Sequence, residues 1–246
     1  PVALLVVPQF WAWRPGRRRA VAESADLALC LFQHEVAPLR SLGLAAFWVG
    51  HPAADLPPAP ARNRRPLRLA VLPGSRRSEV RRHLLPFVAA AQAAGWQDIE
   101  VPWRLSGAPP ALPGVRFTAD AGVSVLRRAD ACLVAAGTAT LEAAVLGVPS
   151  VVAVALHPLS AAIARRMLRV PRVALPNLLL QRDALPEIHQ DLGDGRLVAA
   201  LSALLDDPAA SQAEAGHIAA ELRQVLGPPG FSDRAADRLL PLLEGA

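Results

Sequence analysis

Short and almost uninterrupted apolar runs recur along this chain, and they restrict its fold more than any other feature. Runs such as ACLVAA and SVVAVA lack the alternation of apolar and polar residues expected of a strand with one face in water. Such runs are typical of strands that are buried on both faces of a parallel sheet. Segments with helical periodicity separate them, so the sequence predicts an α/β fold with a Rossmann-like, doubly wound parallel sheet.

This alternation assigns most of the chain to predicted elements. Strands are predicted at 3–7, 27–31, 46–49, 68–72, 99–104, 115–117, 131–135, 150–154 and 172–174. Helices are predicted at 18–24, 35–42, 78–94, 122–127, 139–146 and 159–168, with two or three more after residue 196. The proline- and arginine-rich stretch 55–66 has no periodicity and is interpreted as a loop or linker.

Charge and composition limit the partners of the chain. It has 246 residues and a net charge of +5, and all 26 basic residues are arginine. This charge favours an anionic partner, such as a nucleotide or a lipid headgroup, and a genome-wide preference for arginine is the alternative explanation. Aromatic residues accompany the arginines only in FWAWRPGRRR, so nucleic acid is not expected. The longest apolar stretch, 143–156, is shorter than the roughly 20 residues of a membrane span.

The residues that commonly bind metal ions are dispersed. The six histidines are scattered and form no metal-binding motif, so no metal site is expected. Cys30 and Cys132 lie within apolar runs and are interpreted as buried, reduced thiols of a cytoplasmic protein.

A first candidate site is the segment LPGSRRSEV, in which an apolar strand ends at a turn and a charged helix begins. Unpaired backbone N–H groups and the helix dipole at such a position favour an anion. Gly74 would allow close approach of the backbone, Ser75 would offer a hydroxyl and Arg76 would add a positive charge. The alternative is structural, because Glu79 would complete a capping box at the same turn.

A second segment, AGTATLEAAVLGVP, repeats the arrangement of strand, glycine turn and helix. Gly137 suits the turn and Thr138 is predicted to cap the helix. Glu142 lies about one helical turn later on an apolar helix, where its carboxylate would either accept hydrogen bonds from a ribose diol or remain an exposed or capping side chain. Turns at the carboxyl ends of strands in one open α/β sheet frame a single crevice, which is the usual ligand position. Neither turn matches a P-loop or a dinucleotide-binding fingerprint.

A third segment, RVALPNLLLQRDALPEI, carries polar residues after a predicted strand. Asn177 would either cap the next helix or contact a base or sugar, and Arg182 would contact phosphate.

Five segments, taken together, resemble a known family. VPQFWAWRPGR, WVGHPAAD, LPGSRRSEV, AGTATLEAAVLGVP and RVALPNLLLQRDALPE are similar, in this order and at about this spacing, to segments of the lipid-A-disaccharide synthases. These are glycosyltransferases of the GT-B type, with two Rossmann-like domains. The resemblance covers essentially the whole chain and about the later two-thirds of the family's length. It implies a remnant of the N-terminal, acceptor-side domain at 1–50, a hinge at 51–66, and a complete UDP-sugar-binding domain with a helical tail at 67–246.

The resemblance also implies a reaction and a binding site. The family transfers 2,3-diacylglucosamine from UDP to 2,3-diacylglucosamine 1-phosphate with inversion, using the UDP-sugar as donor and no metal or other cofactor. The residues that it places around the nucleotide are Gly74, Ser75, Arg76, Gly137, Thr138, Glu142, Asn177 and Arg182. The first five would lie near the diphosphate, Glu142 would hold the ribose, and the last two would complete the pocket.

The chain departs from the family pattern at several positions. Gln181 stands where the family has glycine, and Ala155 and Arg172 stand where it has tyrosine, so substrate contacts there are not carried over. No residue matches the general base of the family, which lies in its N-terminal half. His51 and Asp55 are the nearest substitutes by position in the cleft.

The lipid substrates of the family imply further partners. A lipid-linked acceptor, peripheral association with the inner face of the cytoplasmic membrane and a homodimer are all expected from the resemblance. Trp11 and Trp13 would either pack on one face of an extended chain or contact acyl chains beside arginines at the headgroups. Two other functions stay open: a non-catalytic module that binds UDP or a UDP-sugar, and a GT-B enzyme with a different acceptor.

Overall fold

The structure, a computed structural model, describes residues 1–8, 10, 16–60, 67–155, 172–190 and 192–244. The predicted helix at 159–168 and the interpretation of Trp11 and Trp13 lie outside these residues. The chain divides into two compact units. The described part of unit 1 lies within Pro1–Leu56 and Arg223–Ala246, and that of unit 2 within Pro57–Pro158 and Arg172–Leu222.

Unit 1 contains a parallel sheet of three strands in the order β1-β2-β3. Its elements are β1 (Ala3–Leu5), α1 (Arg17–Glu23), β2 (Leu27–Cys30), α2 (Val36–Arg40), β3 (Ala45–Trp48) and, at the C-terminal end, α9 (Phe231–Glu244). The central strand β2 is entirely buried. Its alternate residues face opposite sides, with Ala28 and Cys30 in one apolar cluster and Leu27 and Leu29 in another.

The second of these clusters explains why the C-terminal helix belongs to unit 1. Ala235 of α9 is buried against Leu27 and Leu29, and Leu239 and Leu242 pack around it. Arg234 donates a hydrogen bond from Nε to the carbonyl oxygen of Val49 (2.9 Å). Residues 223–244 therefore group with unit 1, whereas the predicted boundaries placed them in the domain at 67–246.

Unit 2 is built on a parallel sheet of six strands. These are β4 (Arg68–Leu72), β5 (Asp98–Pro102), β6 (Val115–Thr118), β7 (Ala131–Ala135), β8 (Ser150–Val154) and β9 (Glu187–His189). The helices are α3 (Arg77–Ala93), α4 (Gly122–Leu126), α5 (Thr138–Val145), α6 (Leu175–Leu180), α7 (Arg196–Asp206) and α8 (Pro208–Leu226), the last of which crosses into unit 1 after Leu222. The strand order β6-β5-β4-β7-β8-β9 corresponds to the 3-2-1-4-5-6 order of the Rossmann fold.

One predicted strand is wrong. Residues 172–174 form no strand, and the sixth strand of the sheet is Glu187–His189 instead. The backbone N–H groups of Val173 and Ala174 donate to the carboxylate of Glu187, at 2.9 and 3.1 Å, rather than to a neighbouring strand. A side chain therefore takes the hydrogen bonds that a sheet would have supplied.

Both cysteines are buried and free. Burial raises the pKa of the Cys30 thiol to about 12 and raises that of Cys132 as well, so both thiols are protonated at neutral pH.

Candidate functional site

The two glycine turns predicted from sequence meet at the centre of the sheet of unit 2. They follow β4 and β7, which are neighbours in the sheet, with Leu72 paired to Val134 near the carboxyl ends. The strand order reverses between these two strands, and the crevice at such a switch point is where open α/β sheets bind ligands. A cavity of about 480 Å³ lies there. Six of the eight predicted nucleotide-binding residues line it, namely Gly74, Ser75, Arg76, Gly137, Thr138 and Glu142.

The first turn is shaped around a glutamate of the helix that follows. Gly74 has a φ of +114°, a conformation that side chains other than glycine rarely adopt. A Cβ atom at this position would also lie 2.6 Å from both Cβ and Oε2 of Glu79. The glycine is therefore required by the backbone and by the close approach of Glu79.

Glu79 occupies two backbone hydrogen-bond donors of the turn that precedes α3. Its Oε2 accepts hydrogen bonds from the backbone N–H groups of Ser75 (3.0 Å) and Arg76 (3.1 Å), and its Oε1 accepts one from the Arg76 guanidinium (2.9 Å). Burial alone would raise the pKa of Glu79, but these hydrogen bonds outweigh it and hold the pKa below its usual value. The capping box that the sequence left as an alternative is thus formed.

The second turn leaves its donors open. Gly137, not the predicted Thr138, is the N-cap of α5, and no side chain caps this helix. Thr140 closes the turn, since its hydroxyl donates to the carbonyl oxygen of Gly137 (2.7 Å). No described residue accepts a hydrogen bond from the backbone N–H groups of Thr138 or Ala139. Both residues line the cavity, so this helix N-terminus offers an anion two donors and the positive end of its dipole.

Glu142 is a carboxylate without a partner in the described part of the chain. It lies four residues after Thr138, half-buried, and lines the cavity. Burial raises its pKa, because a charged carboxylate there loses solvation without gaining a hydrogen bond. A cavity-lining acceptor of this kind is suited to bind the hydroxyl groups of a ligand.

The loop after β5 contributes residues that sequence reasoning missed. Trp103, Arg104 and Leu105 line the same cavity as the two turns. The indole of Trp103 packs edge-on against Phe117 and donates to the carbonyl oxygen of Gly107 (2.9 Å). The topology would have identified them, because β5 adjoins β4 and its carboxyl end opens on the same edge of the sheet.

His83 holds the first turn against the end of β8. It is buried, its Nδ1 lies 3.0 Å from the carbonyl oxygen of Pro73, and its Nε2 accepts from the backbone N–H of Ala155 (3.1 Å). These contacts assign the proton to Nδ1. Burial is the main cause that lowers the pKa of His83, which keeps the ring neutral.

Two predicted residues do not reach the cavity. The Asn177 amide is buried and donates to the carbonyl oxygen of Leu185 (2.8 Å) and to Glu187 (2.7 Å), while its oxygen accepts from the Leu185 N–H (2.7 Å). Arg182 pairs with Glu221 (2.7 Å). These contacts give both side chains structural partners, and neither side chain lines the cavity.

The two candidate general bases belong to unit 1. His51 is buried, and its Nδ1 accepts a hydrogen bond from the backbone N–H of Ala53 (3.0 Å). Burial lowers the pKa of His51 to about 4. Its unprotonated nitrogen is therefore already engaged, which makes it a poor proton acceptor. Asp55 is exposed and accepts a hydrogen bond from the backbone N–H of Gly230.

Two of the positions that depart from the family pattern have well-defined local structures. Gln181, where the family has glycine, ends α6 in the left-handed conformation with a φ of 55°. Arg172, where the family has tyrosine, pairs with Asp183 (2.6 Å).

Among the described residues, no group of three or more His, Cys, Asp or Glu side chains is placed to hold a metal ion. None of the helices formed by these residues combines the length and apolar character needed to cross a membrane.

Comparison with solved structures identifies the fold. The chain is similar to S. aureus TarM, with 8% identity over 89% of this chain and 45% of that one and a TM-score of 0.53. It is also similar to spinosyn forosaminyltransferase SpnP, with 19% identity over 90% of this chain and 55% of that one and a TM-score of 0.47. With its parallel α/β sheets, the chain has the fold of the GT-B glycosyltransferases, which confirms the predicted fold class.

Sequence comparison then identifies the family. The family model described as lipid-A-disaccharide synthetase matches residues 1–225. The lipid-A-disaccharide synthase of Anaeromyxobacter dehalogenans (strain 2CP-C) is 35% identical over 266 residues, covering 99% of this chain and 69% of that protein. The chain therefore belongs to the lipid-A-disaccharide synthetase family, which confirms the resemblance seen in the five segments.

Proposed function

We propose that unit 2 binds a UDP-sugar in the cavity between the turns after β4 and β7. The proposed reaction transfers 2,3-diacylglucosamine from UDP to 2,3-diacylglucosamine 1-phosphate, with inversion at the anomeric carbon. The observation that carries this proposal is the convergence of two strand–turn–helix segments on one cavity at the switch point of the sheet. Membership of the lipid-A-disaccharide synthetase family supplies the reaction.

The diphosphate of the ligand would bind at the second turn. The backbone N–H groups of Thr138 and Ala139 have no acceptor among the described residues, and α5 directs its positive dipole end into the cavity. Arg76 also lines the cavity and adds a formal positive charge there, with a side chain that is 79% exposed and paired with Glu79. When the bond from the anomeric carbon to the phosphate oxygen breaks, negative charge develops on the departing UDP, and these groups would stabilise it.

The nucleoside would extend from the diphosphate along the cavity. Glu142 lies one helical turn beyond Thr138, on the same side of α5, so a ribose bound next to the diphosphate would reach its carboxylate. Trp103 and Leu105 give the cavity an aromatic and apolar lining, which suits a planar base.

Binding is tested by calorimetry on the whole chain with UDP, uridine and inorganic pyrophosphate. We expect UDP to bind more tightly than uridine, and Arg76→Ala to weaken UDP binding more than uridine binding. Equal losses for the two ligands would assign Arg76 a structural role only. Failure of the wild-type chain to bind UDP would refute the proposed function.

A second candidate function is a module that binds UDP or a UDP-sugar without catalysing transfer. It is favoured by the state of His51, which is a poor general base because its unprotonated Nδ1 already accepts a hydrogen bond from the backbone N–H of Ala53. An assay that follows sugar transfer from UDP-2,3-diacylglucosamine separates the two functions. Disaccharide formation supports the enzyme, and binding without turnover supports the module. Turnover with another acceptor would instead indicate a different GT-B activity.

The family's lipid substrates lead us to propose membrane association and self-association as well. The net charge of +5 would attract anionic headgroups. Co-sedimentation with anionic but not neutral vesicles tests the first proposal, and sedimentation equilibrium tests for a homodimer.

A further inference from the structure

Two turns that lead into helices line the cavity of unit 2, and they differ in whether their backbone donors are occupied. At α5, the backbone N–H groups of Thr138 and Ala139 have no acceptor among the described residues. At α3, the N–H groups of Ser75 and Arg76 are both taken by the Glu79 carboxylate. The first turn, which lines the same cavity as the proposed diphosphate site, therefore already holds an anion of the protein itself.

We propose that Glu79 is an intramolecular competitor for the phosphate groups of the ligand. Its carboxylate occupies the two backbone donors and the guanidinium that a phosphate oxygen would otherwise use at the first turn. A ligand that reaches these donors must displace Glu79, so the residue sets the affinity of the site. This inference rests on the proposed function, because it requires that the ligand carries a diphosphate.

The geometry makes simultaneous occupation unfavourable. Glu79 Oε2 lies only 2.6 Å from where a Cβ on residue 74 would be, so the carboxylate covers the turn closely. Phosphate oxygens would have to share the donors with Oε2 and would meet a like charge. The hydrogen bonds at the turn hold the pKa of Glu79 below its usual value, so the carboxylate is ionised at neutral pH and the competition is between two anions.

The alternative is that Glu79 serves only as a helix cap, and glutamine distinguishes the two roles. Glutamine also completes a capping box, because its side-chain oxygen accepts the same backbone hydrogen bonds. Glu79→Gln therefore keeps the cap but competes less, because a neutral amide oxygen holds the donors more weakly than a carboxylate and does not repel phosphate. Glu214→Gln is the matched control: it makes the same change of charge on α8, at a side chain that is 61% exposed and does not line the cavity.

The test is calorimetry on the whole chain with UDP, inorganic pyrophosphate and uridine, at one fixed salt concentration. We expect Glu79→Gln to tighten the binding of UDP and of pyrophosphate by about tenfold, the scale of one hydrogen bond to a charged group. Uridine binding should not change, and Glu214→Gln should match the wild type for all three ligands. Thermal unfolding of each variant checks that the chain is folded.

The experiment distinguishes failure of the competitor role from failure of the proposed function. If the wild type binds UDP and Glu79→Gln, folded as judged by its melting temperature, binds UDP equally or more weakly, the competitor role is overturned while the proposed function stands. If neither chain binds UDP or pyrophosphate, both proposals are overturned. If Glu214→Gln tightens binding as much as Glu79→Gln, the effect is one of net charge and the competitor role is also overturned.

Discussion

Replacing Glu142 should weaken nucleotide binding and stabilise the fold at the same time. The carboxylate is half-buried, has no hydrogen-bond partner among the described residues, and has a pKa raised by burial. In the proposed complex it would accept hydrogen bonds from the ribose hydroxyl groups. Hydrogen bonds to a charged group contribute about 1.5–3 kcal/mol, so Glu142→Ala should weaken UDP binding by about 10- to 150-fold.

The stability effect has the opposite sign for a physical reason. A carboxyl group whose pKa is higher in the folded state than the value of 4.5 for the unfolded chain binds a proton more readily when folded. Above the folded pKa the charged group therefore destabilises the fold, and this cost develops as the pH rises from 4.5 through the folded pKa. Glu142→Gln removes the charge, so at pH 7 its free energy of unfolding should equal or exceed that of the wild type.

Calorimetry with UDP and inorganic pyrophosphate, combined with urea unfolding at pH 7, measures both effects. Pyrophosphate lacks the ribose, so its binding should change far less than that of UDP in either variant. Glu214→Ala is a control that removes a glutamate from outside the cavity. Equal losses for UDP and pyrophosphate would remove Glu142 from the ribose role, and a less stable Glu142→Gln would show that the carboxylate has a structural partner.

Three further predictions concern positions where the backbone or burial sets the outcome. Gly74→Ala should lower the melting temperature and weaken UDP binding, because the residue has a φ of +114° and an added Cβ would lie 2.6 Å from atoms of Glu79. An unchanged melting temperature would contradict the conclusion that this turn requires glycine. Gln181 has a φ of 55°, a left-handed conformation that costs a residue other than glycine about 1 kcal/mol. Gln181→Gly should therefore raise the free energy of unfolding, measured in urea, by about 1 kcal/mol. A destabilised variant would contradict this. The pKa of His51 is about 4 in the folded chain, below its ordinary value of 6.5. Between pH 6.5 and pH 4 the unfolded chain therefore binds more protons than the folded chain. The free energy of unfolding should fall by up to about 3 kcal/mol as the pH is lowered through that window. Urea titrations from pH 7 to pH 4 should show this loss, and His51→Asn, whose side-chain oxygen keeps an acceptor for Ala53, should reduce it; an identical loss in the variant would refute the assignment.

Local sequence patterns predicted the strands of unit 2 well where burial on both faces left a continuous apolar run. Strands β4, β7 and β8 have the predicted limits, and all three are buried along almost their whole length. The pattern failed at 172–174, where two backbone N–H groups are satisfied by Glu187, a residue more than ten positions away. The sequence pattern also could not predict which unit α9 packs against. An apolar stripe shows that one face of a helix is buried, but it does not identify the partner of that face.

For the site, the sequence predicted the turns but could not decide how each one is used. Glycine, a small polar residue and a glutamate occur in both LPGSRRSE and AGTATLE, so capping and ligand binding remained alternatives at each. The glutamate lies five residues after the glycine in both segments, so the residue at which each helix begins decides between them. Glu79 lies four residues after Ser75 and folds back onto the backbone N–H groups of the turn, whereas Glu142 lies four residues after Thr138, one turn inside its helix, and leaves the N–H groups open.

The two glutamates lining the cavity therefore have environments that shift their pKa values in opposite directions. Glu79 is held ionised by three hydrogen bonds, and burial pushes Glu142 towards the protonated form. Carboxyl groups of one site whose pKa values are shifted in opposite directions commonly have different roles. UDP affinity should therefore fall as the pH is lowered into the range where Glu142 takes up a proton. Glu142→Gln should reduce this dependence to that of the UDP phosphate itself, while Glu79→Gln retains it. A pH dependence that persists in Glu142→Gln but disappears in Glu79→Gln would reverse the two assignments.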